Sequence, residues 1–234
     1  ERDFPLPLAE LNIKYSDLTG FSNYLRAINM ETGEVSSQFK ENGSWIKKDL
    51  FVSRADGMII FKISSERPLL NAEFSVDMIS DKGNICFESE NVKKYRKISV
   101  SGNVLKYTSV NTDGLTYGAA VKIESTDGKI SSLDQSVKVN SASEILVKIK
   151  VFINSETDIN YLENRENENY EYYLKRHIPF HSKLYHSANL ILGGNKNLSN
   201  EELLLNAYDG VSSNELIEKL WRYGRYLFIS GCSE

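Results

Sequence analysis

The fold class of this 234-residue chain is indicated most clearly by one stretch, Ile145-Leu146-Val147-Lys148-Ile149-Lys150-Val151-Phe152-Ile153. Its odd-numbered positions are all apolar, and this period of two is typical of a β-strand with one buried face. Lys148 and Lys150 lie on the other face. We expect them to contact water there, as in a sheet that is covered on one side only. The stretch therefore predicts an antiparallel sheet.

Turn signals divide the chain before this stretch into segments of strand length. They are Thr32-Gly33, Asn42-Gly43, Asp56-Gly57, Lys82-Gly83-Asn84, Ser101-Gly102-Asn103, Asp113-Gly114 and Asp127-Gly128. Spacings of roughly 10 to 25 residues leave room for one or two strands between turns, as in a large β-sandwich. No alternation of strand and helix is apparent. We therefore predict a mainly β fold for residues 1–155, with two stacked antiparallel sheets.

The periodicity becomes helical after residue 155. Tyr170, Tyr173, Leu174 and His177 recur at intervals of three and four, which predicts a helix with one buried face. Pro179 lacks a backbone N–H and disfavours a helix interior. We therefore expect this helix to end near His177, and a second helix to begin with Pro179 in its first turn.

Capping signals predict two further helices. Serine followed three residues later by glutamate, the pattern of a capping box, occurs at Ser199 and again at Ser212. The first helix would run through Leu203, Leu204 and Ala207 and end at Gly210.

The second of these helices would carry an apolar stripe that we expect to be buried. Its members are Leu216, Ile217, Leu220, Trp221, Leu227 and Phe228. Gly224 lies on the same side. Glycine costs a helix interior about 1 kcal/mol relative to alanine, so we expect another backbone to approach closely there.

Composition and charge exclude several classes of protein. Hydrophobic residues make up 41% of the chain and charged residues 26%, as in an ordinary globular protein. The formal net charge is −4 and no block of lysine and arginine occurs, so neither nucleic acid nor a membrane is expected as a partner. Cys86 and Cys232 are too isolated for a disulfide scaffold or a metal site, and we expect no cofactor.

Two histidines have the spacing that can place two metal ligands on one helix face. His177 and His181 are four residues apart. The zinc-protease pattern requires glutamate directly after the first histidine, whereas Ile178 stands there, and Pro179 disturbs the helix. We therefore interpret both as structural or substrate-contacting histidines, with no metal site.

Aromatic residues are the other candidates for substrate binding, because sugars can stack on flat rings. The candidates are Trp45, Tyr95, Tyr107, Tyr117, Tyr170, Tyr172, Tyr173 and Trp221. The alternative for each ring is ordinary packing in the core or at its rim. We select Trp45, with His177 and His181, as the predicted substrate-binding residues. No carboxylate pair and no nucleophile motif stands out, so no catalytic residue is assigned.

Three pieces of the sequence occur in a recognisable order. They are Ser53-Arg54-Ala55-Asp56-Gly57-Met58-Ile59-Ile60-Phe61-Lys62-Ile63, residues 177–194 ending in Leu190-Ile191-Leu192-Gly193-Gly194, and Tyr223-Gly224-Arg225-Tyr226-Leu227-Phe228-Ile229-Ser230. This succession resembles the N-terminal region of glycoside hydrolase family 95, the 1,2-α-L-fucosidase family. The third piece is the most specific. The resemblance spans most of the chain but is close only at these pieces.

The resemblance implies a domain organisation. Enzymes of this family have an antiparallel, galactose-mutarotase-like β-supersandwich, a helical linker, a central (α/α)6 barrel and a C-terminal β domain. By this likeness residues 1–155 would be the supersandwich without its earliest strands. Residues 156–198 would be the linker, and residues 199–234 would be the first helices of the barrel.

The resemblance also implies an activity. Such enzymes hydrolyse terminal α-L-fucosides with inversion, using a glutamate as general acid and asparagine and aspartate residues that position water. These residues lie in the barrel, downstream of residues 223–230. We therefore expect this chain to be inactive alone, to brace the barrel, and to meet carbohydrate through the complete enzyme.

Alternative hypotheses belong to other classes. The chain could be a stand-alone carbohydrate-binding sandwich whose helical tail docks on a partner, or a homologue that acts on another sugar such as an α-L-galactoside. It begins at Glu1 and stops soon after an apolar helix, so we expect a piece of a longer protein. Without a barrel, the apolar stripe would fold back on the sheet and linker or pair with a second copy, giving a dimer produced by truncation.

Overall fold

The structure is a computed structural model. It describes residues 8–16, 20–78, 94–111, 114–154, 162, 168–194 and 198–232. Cys86, the turn signal at residues 82–84, Asp113 and most of the polar passage at residues 155–167 lie outside the described residues.

The described residues form two antiparallel sheets. The strands are β1 (Glu10–Tyr15), β2 (Ser22–Asn29), β3 (Glu34–Glu41), β4 (Ser44–Ser53), β5 (Met58–Ser65), β6 (Leu70–Asp77), β7 (Lys97–Ser101), β8 (Val104–Val110), β9 (Thr116–Glu124), β10 (Lys129–Ser132), β11 (Ser136–Ala142) and β12 (Glu144–Ile153). One sheet has the order β1-β6-β11-β10, and the other has the order β2-β3-β4-β5-β12-β9-β8-β7. The predicted mainly β, antiparallel sandwich is confirmed.

The two sheets stack face to face and enclose the main core. Every second residue of β6, from Leu70 to Val76, is buried, as the period of two requires. Ile63 of β5, Val121 of β9 and Val147 of β12 belong to the same cluster. Burying each large apolar side chain is worth about 1.5–3 kcal/mol, so this cluster is the main source of the sandwich's stability.

The predicted turn at Asn42-Gly43 is confirmed in its detail. It joins β3 to β4 as a two-residue loop, with Glu41 opposite Ser44. Both loop residues have positive φ, 49° at Asn42 and 77° at Gly43. Asparagine followed by glycine is favoured in such tight hairpin turns because these residues tolerate that backbone conformation.

The prediction that Lys148 contacts water is wrong. The eight-stranded sheet is covered on both faces, and Lys148 is completely buried on the face opposite the main core. Its Nζ atom lies 2.7 Å from Oε2 of Glu124, whose Oε1 atom lies 3.2 Å from Nζ of Lys122. Lys150 is half-buried and donates to the carbonyl oxygen of Asp56. The pattern of one strand could not reveal the second cover, because it comes from a helix later in the chain.

Three helices follow the sandwich among the described residues: α1 (Tyr170–Tyr185), α2 (Asn200–Tyr208) and α3 (Asn214–Gly231). Helix α1 covers the outer face of the eight-stranded sheet, where Tyr170 and Tyr173 pack with Phe51 and Ile60. None of the described helices has the length and apolarity that crossing a bilayer requires.

Helix α1 continues through Pro179, so the predicted break near His177 is wrong. Pro179 removes the hydrogen bond to the carbonyl of Lys175, and both residues are exposed, where water can solvate that carbonyl. The buried face continues beyond the proline at His181 and Tyr185. Packing of this face outweighs the local cost of the proline.

The two capping predictions have different outcomes. At α2 the capping box is present: the Glu202 N–H lies 3.1 Å from Ser199 Oγ, and the Ser199 N–H lies 2.8 Å from a Glu202 carboxylate oxygen. At α3 the cap is Ser213, which accepts from the Leu216 N–H, so the assignment of Ser212 was one residue too early. The glutamate at position 215 is therefore not the partner of the cap.

Helix α3 packs with a different face from the one predicted. Ile217, Leu220, Leu227 and Phe228 of the apolar stripe are 42–72% exposed, although Leu216 is buried. The buried face instead carries Glu215, Glu218, Tyr226 and Ile229. No described atom outside the helix backbone lies within 4 Å of a Cβ added at Gly224, so the expected close approach is not seen.

Candidate functional site

The structure places His177 and His181 together on the buried face of α1. Both are 2% exposed, and their ring centroids are 5.3 Å apart. Nδ1 of His177 accepts a hydrogen bond from the Arg54 N–H at 3.1 Å, and the ring stacks on Phe51. Nε2 of His181 lies 2.9 Å from the carbonyl oxygen of Met30, to which it donates. Each imidazole therefore has a specific role in holding a backbone segment.

Burial keeps both imidazoles neutral. It lowers the pKa of His177 to about 4, with the nearby His181 adding to the shift and the Thr32 backbone opposing it. Burial likewise lowers the pKa of His181, against the opposing hydrogen bond to Met30. At neutral pH these rings are hydrogen-bonding groups, and the pKa of His177 is too low for a general base that must be poised near neutrality.

The turn between β2 and β3 fits closely over the two histidines. Gly33 has a φ of +70°, and a Cβ added there would lie 3.0 Å from Cε1 of His181 and 3.1 Å from Nε2 of His177. Ser182 of α1 donates to the carbonyl oxygen of Glu31 at 2.7 Å. Both the positive φ and the limited space above the histidine rings require glycine. The predicted Thr32-Gly33 turn therefore also packs against the two histidines.

The turn between β4 and β5 connects the sandwich to both long helices. The Asp56 carboxylate accepts from Ser53 Oγ at 2.8 Å and pairs with Arg176 of α1 at 3.2 Å. The guanidinium of Arg54 donates to the carbonyl oxygens of Ile229 and Cys232 at the end of α3. A cation at a helix C-terminus satisfies unpaired carbonyls and complements the helix dipole.

Arg225 makes the reciprocal contact from α3 to α1. Its Nε atom donates to the carbonyl oxygen of Tyr185 at 2.8 Å. Its terminal nitrogen donates to the carbonyl oxygen of Leu184 and to Ser187 Oγ. Each of the two long helices is thus capped at its C-terminal end by an arginine from another element.

The double glycine at residues 193–194 is also held against α3. One carboxylate oxygen of Glu218 accepts from the N–H groups of Leu192 and Gly194, which lowers the pKa of Glu218. A Cβ added at Gly194 would lie 2.6 Å from the backbone of Glu215. Glycine is therefore required for this close approach.

These contacts bring the three sequence pieces together in space. We call the cluster formed by Arg54, His177, Gly194, Glu218 and Arg225 the joint. It links the β4–β5 turn, α1, the segment after α1 and α3. The sequence pieces were quoted for their likeness to a family, but the roles of Arg54, Glu218 and Arg225 were missed. Arg54 and Arg225 occur inside the pieces, which was the available signal for these two, whereas Glu218 lies outside them.

The joint borders a cleft of 640 Å³. Its described lining includes Arg54, His177, Phe180 and Tyr226 and contains no carboxylate. A hydrolase of this kind requires two carboxyl groups flanking the bond, or an equivalent acid and base. Within the described ranges, no cluster of three His, Cys, Asp or Glu residues could hold a metal ion.

Trp45, the third predicted site residue, lies elsewhere. It is the second residue of β4, whereas Ser53 ends that strand beside the joint, and at about 3.3 Å per residue the two are roughly 26 Å apart. Lys40 lies over the Trp45 ring at 5.0 Å. Of the other aromatic candidates, Tyr107, Tyr117, Tyr170 and Tyr173 are buried and offer no face to a sugar.

The sandwich and the helices after it match two family models, both of glycoside hydrolase domains. Residues 1–157 match the family model described as glycosyl hydrolase family 65, N-terminal domain, so the chain belongs to this family. Residues 169–234 match the glycosyl hydrolase family 95 catalytic domain. The resemblance to family 95 is thereby confirmed at the level of the family.

One solved structure shares the fold over nearly the whole chain. It is described as "Putative kojibiose phosphorylase from human microbiome", with a TM-score of 0.60 and 13% sequence identity. The match covers 96% of this chain and 32% of that chain. The present chain therefore spans about a third of the length of that protein, and the likeness concerns the fold alone. None of the curated proteins compared with the chain matches its sequence.

Proposed function

We propose that the chain is the non-catalytic N-terminal portion of a carbohydrate-active glycoside hydrolase similar to the α-L-fucosidases. In this proposal residues 1–155 form the supersandwich, residues 156–198 the linker and residues 199–234 the first barrel helices. The complete enzyme removes terminal α-L-fucose with inversion. Its catalytic residues lie beyond this chain.

The joint is the observation that carries the proposal. A binding module needs no rigid connection to a pair of helices, whereas a domain that braces a barrel does. Helix α3 is capped by Arg54 of the sandwich and in turn caps α1 through Arg225. Its exposed apolar residues, such as Leu220 and Phe228, are those that further barrel helices would cover.

A second candidate reaction follows from the fold likeness. The phosphorylase neighbour is named for kojibiose, so the complete enzyme could transfer a glycosyl group to phosphate instead of water. Phosphate dependence separates the two reactions. In a variant of the first candidate, the complete enzyme cleaves an α-L-galactoside instead of a fucoside. Activity on the two substrates distinguishes these possibilities.

We expect the isolated chain to release no fucose from 2′-fucosyllactose. We expect the product of the complete reading frame to release it without added phosphate, with β-L-fucose appearing first in a proton NMR time course. The anomer of fucose that appears first shows directly that the reaction inverts the anomeric configuration. Kojibiose with phosphate serves as the matched control substrate.

Three outcomes would contradict the proposal. The first is turnover by the isolated chain that a substitution of one of its own carboxylates abolishes. The second is cleavage of kojibiose that requires phosphate, together with inactivity on fucosides. The third is a complete reading frame that contains no helical barrel beyond residue 234, which would favour a stand-alone binding module.

A further inference from the structure

A second cleft lies between the β2–β3 hairpin, the C-terminal end of α1 and α3. Its volume is 710 Å³, within the range of about 300–1,000 Å³ that is typical of small-molecule sites. Trp221 and Arg222 of α3 form one wall. Asn29 and Glu31 of the hairpin form another, and Tyr185 lies at the end of α1. Trp221 was one of the aromatic candidates from the sequence, whereas the selected residues Trp45, His177 and His181 do not line this cleft.

Tyr185 lines the cleft at the C-terminal end of α1. Burial raises the pKa of Tyr185, and the Glu31 carboxylate acts in the same direction. The guanidinium groups of Arg222 and Arg225 oppose that shift. Charges of both signs therefore act on one phenol. A hydroxyl group of a ligand beside it would meet both a donor and an acceptor.

The two long side chains of the α3 wall are held in place. Arg222 pairs with Glu218 at 3.6 Å. The guanidinium of Arg225, itself fixed by the end of α1, lies 5.7 Å from the ring centroid of Trp221. That guanidinium occupies one face of the ring, so a ligand can stack only on the opposite face. A ring with a fixed orientation loses less entropy on binding than a mobile one.

The hydrogen-bond donors and acceptors that line the cleft indicate a neutral ligand. Arg222 can only donate, an ionised Glu31 can only accept, and the amides of Asn29 and Asn189 can do both. The lining carries charges of both signs, the Glu31 and Glu34 carboxylates and the Arg222 guanidinium, so no single ligand charge is favoured throughout. A sugar ring presents hydroxyl groups that donate and accept, together with an apolar C–H face that can cover an indole.

We propose that this cleft is a binding subsite for a neutral saccharide, with Trp221 as the stacking surface and Glu31, Asn189 and Arg222 as hydrogen-bonding groups. The inference rests on the proposed carbohydrate-active function and deepens it. It assigns to the non-catalytic part of the enzyme a saccharide contact of its own, whose lining does not include His177, His181 or Trp45.

The chain contains two tryptophans, which makes the test direct. In Trp45→Phe the only indole is that of Trp221, and its fluorescence is expected to change saturably on titration with 2′-fucosyllactose. Trp221→Phe is the matched control: it conserves a ring, and the remaining indole of Trp45 is expected not to respond. In the Trp45→Phe background, Glu31→Gln and Asn189→Ala are each expected to weaken binding roughly tenfold. Circular dichroism verifies the fold of each variant.

The subsite is contradicted if Trp45→Phe shows no saturable change with 2′-fucosyllactose, L-fucose or kojibiose at millimolar concentrations. It is also contradicted if Trp221→Phe responds equally, since the sugar would then bind near Trp45. Failure of the proposed function looks different: the cleft would bind sugar while the complete enzyme cleaves no glycoside. Fucoside cleavage without binding in this cleft would overturn the subsite alone.

Discussion

Acidification from pH 7 to pH 4 is expected to remove about 3 kcal/mol of folding free energy through His177 alone. The pKa of this imidazole is about 4 in the folded chain and ordinarily 6.5. Between these values the unfolded chain binds a proton that the folded chain does not. The stabilisation of the folded chain by neutral His177 is therefore nearly complete above pH 6.5. It falls as the pH drops towards 4 and changes little below pH 4.

Urea unfolding of the wild-type chain and of His177→Gln at several pH values checks this result. Glutamine is neutral and can still accept a hydrogen bond, so the variant should lose about 3 kcal/mol less than the wild type over the interval. His186→Gln is the control, because the His186 side chain is 59% exposed. Equal pH dependence of the wild type and His177→Gln would show that the buried imidazole does not govern acid stability.

Glu124→Gln is expected to destabilise the sandwich by about 3–5 kcal/mol. The Glu124 carboxylate pairs with two lysines, Lys148 and Lys122, whose side chains are 0% and 7% exposed. Removing the carboxylate leaves the buried Lys148 ammonium without its anionic partner, while Lys122 keeps its hydrogen bond to the carbonyl oxygen of Leu162. The expected observation is a large fall in the urea midpoint with an unchanged m-value.

A second variant separates the ion pair from simple packing. Lys148→Met removes one cation and leaves the pair of Glu124 with Lys122, so it is expected to cost much less than Glu124→Gln. Glu171→Gln is the surface control: it removes the exposed partner of Lys62 and should change stability by less than about 1 kcal/mol. A loss in Glu124→Gln no larger than that of the surface control would contradict this explanation of the buried lysine.

Local patterns predicted the sandwich because its strands are bounded by specific turns. Asn42-Gly43 and the alternation at Ile145 and Val147 each encode a backbone conformation or a buried face directly. The environment of Lys148 could not be predicted in the same way. It depends on α1, which packs on the sheet from more than twenty residues later in the chain.

In the helical part too, local features were predicted and features set by tertiary packing were not. The cap at Ser199 is a local feature and was predicted, whereas the continuation of α1 through Pro179 depends on tertiary packing. The face that α3 buries was predicted wrongly because hydrophobicity alone was considered. Glu218 is buried because its carboxylate binds the N–H groups of the glycine segment, which no periodicity reveals.

For the candidate site, the sequence indicated His177 and His181 but not their partners. Their spacing of four places both on one buried face of α1. There His177 accepts from the Arg54 N–H within the joint, and His181 binds the carbonyl oxygen of Met30. The dimer through α3 and the substrate-binding roles of His177, His181 and Trp45 stay predictions.

Hydrogen exchange on Arg225→Ala tests the central claim, that the joint holds α1 and α3 against the sandwich. Loss of the hydrogen bonds from Arg225 to the end of α1 should accelerate amide exchange in α3 and in the C-terminal half of α1 by roughly tenfold or more. Strands β5, β9 and β12 should keep their protection, and Lys175→Ala on the exposed side of α1 should behave like the wild type. Unchanged exchange in α3, or equal loss of protection throughout the sandwich, would contradict the account.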